Sequence, residues 1–149
     1  MPGKAAGAVP WTTWALRVTA ALYLSIPLGQ SMLAGLFVTG DAALVAVHRI
    51  NGEVFVAIAL VQLLIAVLDL RARRQSGYPV TWRLIWLCGL ALAVAAGQLG
   101  LGMARLVAAH ITLGVTSAAL GMFVFLAVLT ETRPRPAQVA DEVPAGEVR

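Results

Sequence analysis

The sequence predicts an all-α integral membrane protein: an up-and-down bundle of four transmembrane helices, with signs of a duplicated helix pair. Three observations carry that expectation. Of 149 residues, 60% are hydrophobic and only 12% are charged, about half the charge of an ordinary soluble domain. Mean hydropathy is +0.85. Apolar runs long enough to cross a bilayer recur along the chain. Too few polar side chains remain to coat a water-soluble globule, which excludes the compact soluble enzyme and the disordered chain.

A bilayer core of about 30 Å takes roughly 20 apolar residues of helix. After an N-terminal segment, 1–13, the first helix is expected at about 14–40, because Val18 to Gly40 gives 23 residues without a charge. That run exceeds a cleavable signal's apolar region. Pro27 and Gly29 should bend it, which a membrane bundle tolerates. The second helix, about 43–69, is less clean, since Val54 to Leu68 supplies only 15 uncharged residues. It reaches spanning length by taking in His48, Arg49, Asn51 and Glu53 near one end. The third, about 82–104, contains the 21 uncharged residues Leu84–Ala104, and the fourth, about 106–130, the 25 residues Leu106–Thr130. Together they make a transmembrane domain over 14–130. Residues 131–149, rich in proline and charge, read as a disordered tail.

Basic residues set the orientation. Lys4, Arg17, Arg71, Arg73, Arg74, Arg83, Arg133, Arg135 and Arg149 fall on one side, leaving only Arg49 and Arg105 on the other. Both termini and the middle loop are therefore expected to be cytoplasmic. Arginine supplies ten of the eleven basic residues, a bias of high-GC bacterial genomes that points to a bacterial plasma membrane. Trp11, Trp14, Tyr78, Trp82 and Trp86 gather at the cytoplasmic ends as an aromatic belt. The basic residues form no single patch, so a nucleic-acid partner is not expected. The partner implied by composition is the lipid bilayer. Cys88 is alone, so no disulfide or CxxCH haem attachment is available. No zinc signature, nucleophile elbow or phosphate loop appears.

The two histidines are the most informative residues. His48 lies 20 residues before Leu68 and His110 lies 20 before Thr130. At about 1.5 Å per residue both stand some 30 Å from the cytoplasmic boundary, level with each other near the outer face. In an up-down bundle helices two and four are diagonal, on the order of 12–14 Å apart for neighbours at 8–10 Å. Two inward imidazoles can clamp one metal atom across that gap, a geometry that suits bis-histidine haem iron. Each histidine has glycine four residues on, Gly52 and Gly114, on the same helix face, where a side chain would obstruct a flat ligand. Arg49 and Arg105 stand at the same end as cationic partners for propionates. The plainer alternative is that small residues at this spacing pack helices with no cofactor.

A weak repeat accompanies the pattern. Gln30-Ser-Met-Leu-Ala precedes His48-x-x-x-Gly52, and Gln98-Leu-Gly-Leu-Gly precedes His110-x-x-x-Gly114. On these residues the chain resembles a four-helix half of the haem A synthase family over about 14–130. It is also similar to small four-helix bacterial membrane proteins with the same Gln…His-x-x-x-Gly pattern. The resemblance implies a haem b clamp at His48 and His110. The acidic residue that the catalytic half carries three positions ahead of its first ligand is Val45 here, so haem hydroxylation is not expected.

The expected function is therefore haem b binding in electron transfer or haem handling, with a redox partner or larger membrane complex. The alternative is a cofactor-free accessory or assembly subunit. Arg49 and Glu53, at i and i+4, should pair. Gln30, Gln62 and Gln98 should make interhelical hydrogen bonds. Met32 and Met103 read as apolar filling, and Asp69 as an interfacial partner of Arg71 and Arg73. Gly89, Ala93, Gly97 and Gly100 suit either internal packing or a homodimer.

Overall fold

The computed structural model describes residues 10–76, 78 and 80–132, which form four helices: α1 (Trp11–Val38), α2 (Leu44–Gln75), α3 (Arg83–Met103) and α4 (Val107–Glu131). Each is long and apolar enough to cross a membrane. Most of the expected N-terminal segment and tail lies outside the described residues. Each helix packs on its chain neighbours and α4 returns to α1, while among the described residues the diagonal pairs make no close backbone approach and meet only where long side chains reach across. The result is a square up-down-up-down bundle, as short connections dictate.

Two helices begin or end beyond their expected limits for one reason. α1 starts at Trp11 and α2 runs to Gln75 because both ends carry members of a buried polar clasp. Asp69 Oδ1 accepts hydrogen bonds from Thr12 Oγ1 (2.9 Å) and Thr13 Oγ1 (2.6 Å), while Arg73 Nε donates to Asp69 Oδ2 at 2.7 Å. Arg73 also reaches Thr13 Oγ1 and the Thr132 carbonyl, which accepts a further bond from Arg17 at 2.8 Å. Helices α1, α2 and α4 are thus fastened at one end. Asp69, expected at an interface, is only 2% exposed. An apolar setting makes such a carboxylate costly unless paired, and here every oxygen is satisfied.

The duplicated pattern reappears in the packing. The buried residues Leu16, Ala20, Tyr23 and Pro27 of α1 correspond to Leu84, Cys88, Ala91 and Ala95 of α3 at one constant offset. Gly52, Phe55, Ala59, Gln62 and Ala66 of α2 correspond likewise to Gly114, Ser117, Gly121, Val124 and Val128 of α4. Size is not repeated, however. Tyr23 and Phe55, with ring centroids 4.7 Å apart, occupy the middle where the second pair offers Ala91, Ser117 and Gly121. Tyr23 donates its hydroxyl to the Ala91 carbonyl at 3.0 Å. Large side chains of one half fill the room left by small ones of the other, which lets the backbones approach closely.

The α3–α4 turn carries a residue under backbone strain. Arg105 has φ of +58°. Its N–H donates to the Gly102 carbonyl and that of Leu106 to the Leu101 carbonyl, the paired closure of a helix that ordinarily has glycine at this position. A left-handed non-glycine residue costs roughly 1–2 kcal/mol, part of which glycine's greater unfolded freedom would offset. Arg105→Gly should therefore raise thermal stability in detergent by about 0.5–1 kcal/mol, measured as a higher unfolding midpoint. A lower midpoint would show that the arginine side chain contributes more than the strain removes.

Candidate functional site

The end of the bundle opposite the Asp69 clasp brings both histidines together. His48 lies in the first two turns of α2 and His110 in the first turn of α4, so the diagonal helices present them at the same height. Their ring centroids are 6.0 Å apart with the ring planes at 69°. The His48 ring also meets Phe37 edge-on at 5.2 Å. Both histidines are half-buried.

Each histidine is served by a glutamine on the preceding helix. Gln30 Nε2 on α1 donates to the His48 carbonyl at 2.9 Å. On α4, His110 Nδ1 stands 2.9 Å from the Gln98 carbonyl oxygen. A carbonyl only accepts, so Nδ1 carries the proton and Nε2 holds the lone pair. Gln98 Nε2 lies 3.5 Å from that second nitrogen. A ring N–H held by a backbone carbonyl while the other nitrogen keeps its lone pair is how metal-binding histidines are oriented. Three buried acceptor-capable atoms here have no hydrogen-bond partner: His48 Nδ1, Gln30 Oε1 and Gln98 Oε1.

The glycines have a use that spacing alone did not reveal. A Cβ on Gly52 would stand 3.2 Å from Gln30 Nε2, and one on Gly114 only 2.9 Å from Gln98 Nε2. The room beside each histidine is filled by a glutamine amide rather than left open. Gly102 has a similar part, since a Cβ there would come within 3.0 Å of the His110 ring. Gln98 at an interval of twelve from His110, ending at Gly102 on the same face, is the signal that could have identified it.

The remaining polar residues divide in two. Arg49 pairs with Glu53 at 3.4 Å on an exposed surface. This is the expected partnership, and it directs Glu53 away from the bundle interior. Arg105 is exposed at the same end, on the turn leading to His110, and Met32 and Met103 are also exposed. Gln62, fully buried in mid-bundle, donates Nε2 to Cys88 Sγ at 3.6 Å. Among the described residues, no three His, Cys, Asp or Glu side chains converge. Any ligand at the histidine pair would therefore be held by imidazole and amide groups without a carboxylate.

At the clasp end Trp11, Trp14, Trp82 and Trp86 are exposed. Arg17 lies over the Trp14 ring at 4.9 Å and Arg74 over the Trp82 ring at 5.1 Å. Amphipathic rings with cationic partners at the helix ends fit the boundary of an apolar slab. Comparison with family models, curated proteins and solved structures finds no match to this chain.

Proposed function

We propose that this chain is a haem-b protein of the bacterial plasma membrane, both termini cytoplasmic, in which His48 and His110 near the outer face would hold the haem. Its role on this reading is electron transfer or haem handling, with a redox partner or larger membrane complex receiving what it carries. The observation that supports it is the histidine pair itself: level, with 6.0 Å between ring centroids and the ring planes at 69°. Two imidazoles at that separation could share one metal atom between them. His110 holds its Nε2 lone pair ready through the bond to the Gln98 carbonyl, and His48 has a buried nitrogen lacking a partner. What stands over Gly52 and Gly114 is the Gln30 and Gln98 amides, with Leu99 also against Gly52, so a ring there requires both glutamines to turn away. Haem would supply one-electron exchange there. Arg49 and Arg105 offer the cationic partners for its carboxylates.

The filled space over both glycines favours a second reading, a cofactor-free accessory subunit in which glutamine and glycine simply pack the helices. One experiment separates the two. The full chain, purified in detergent from haem-replete cells, should show a reduced-minus-oxidised b-type spectrum at one haem per chain. His48→Ala and His110→Ala should each lower occupancy at least tenfold. A colourless wild-type preparation, or haem retained unchanged in both variants, would sink the haem reading.

A further inference from the structure

We propose that the haem-free chain is itself a site for one divalent first-row transition ion, bound by His48 and His110 with the side-chain oxygens of Gln30 and Gln98, and tightest for copper. This does not depend on the haem reading, because it concerns the closed arrangement in which both glutamines lie beside the histidines. The spacing already suits a single ion: the 6.0 Å between ring centroids is about what two imidazoles sharing one metal adopt.

The hydrogen-bond inventory of the cluster points to a cation. Gln30 Nε2 is used by the His48 carbonyl, and His110 Nδ1–H by the Gln98 carbonyl. What remains is acceptor capacity: Gln30 Oε1, Gln98 Oε1 and His48 Nδ1 are buried and without a partner. The His110 Nε2 lone pair has only a long contact, 3.5 Å to the Gln98 amide nitrogen, which a metal would replace. In an apolar setting each unmade bond is costly, and one cation satisfies the whole set. Among the described residues, Arg49 and Arg105 alone stand at this end as competing cations, and Arg49 is drawn off to Glu53 on the exposed side.

The donor chemistry narrows the ion. Two imidazoles with neutral carbonyl oxygens suit copper, zinc or nickel, whereas calcium and magnesium prefer several carboxylates. Among divalent first-row ions copper binds a given site of this kind most tightly. His110 already has the carbonyl-held N–H that fixes a ligating ring.

The test uses full-length haem-free protein without a polyhistidine tag, titrated with Cu²⁺ alone. Expected is one ion per chain, with electron paramagnetic resonance showing coupling to two nitrogens, and retained against equimolar Zn²⁺. His48→Ala and His110→Ala should each weaken binding at least tenfold, and Gln30→Leu with Gln98→Leu at least threefold. In wild-type protein the ion should also shield both histidines from diethyl pyrocarbonate, read by mass spectrometry, so the result does not hang on a variant folding. Binding unchanged in either histidine variant, coupling to fewer than two nitrogens, or no protection would overturn the proposal. Unchanged affinity in the glutamine double variant would overturn its oxygen donors. A chain that takes copper but no haem defeats only the haem reading, and one that takes haem but no copper defeats only this one.

Discussion

Asp69→Ala will destabilise the bundle by on the order of 3–5 kcal/mol, the largest effect expected of any single substitution here. Arg73 is 8% exposed at its side chain and Asp69 is 3%. Removing the carboxylate leaves a buried guanidinium with Thr13, the Thr132 carbonyl and the Tyr78 ring among the described residues, none of them charged. Thr12 and Thr13 lose their shared acceptor at the same time. Unfolding in mixed micelles, followed by helicity, measures the loss. The double variant Asp69→Leu with Arg73→Leu should recover most of it, because replacing a buried pair with apolar groups is often neutral whereas breaking one is not. A single variant as stable as wild type would mean that water reaches the pair freely.

Gly121→Val should cost about 2–3 kcal/mol through overpacking. Even a Cβ at Gly121 would stand 3.3 Å from Leu24 Cα and 3.3 Å from the Tyr23 ring. The first of these is backbone, and Tyr23 is fully buried and tied to Ala91. Neither can rotate away, so branched carbons there push α1 and α4 apart. The contrast is Gly89→Val on α3, where a Cβ meets nothing within 4 Å and little change is expected. Equal losses at both positions would show that helix propensity, not packing, governs the response.

Neither position's partners can be read from the residues around it. A lone Asp69 among arginines at a helix end has the appearance of an interfacial residue, because a hydropathy run cannot tell which helix will lie opposite. Thr12 and Thr13 are 57 and 56 positions away, and no local rule links them to it. Nothing local to Gly121 marks Tyr23 as its partner, since the two lie on different helices at opposite ends of the chain. That the two histidines are level with each other was legible for a different reason. Their heights follow from counting residues along helices of known rise, which needs no knowledge of side-chain packing.

By itself, the sequence determined the class and the coarse arrangement. Scarcity of charge required an apolar surrounding, four long runs required four helices, and short connections required alternating directions, since each follows from local composition and geometry. Tertiary structure alone decided the contents of the two ends. It filled the space over Gly52 and Gly114 with Gln30 and Gln98 amides, set the His110 tautomer through the Gln98 carbonyl, and buried Asp69 beneath two threonines. Those outcomes depend on which side chains meet across helices, a property of distances between residues far apart in the chain.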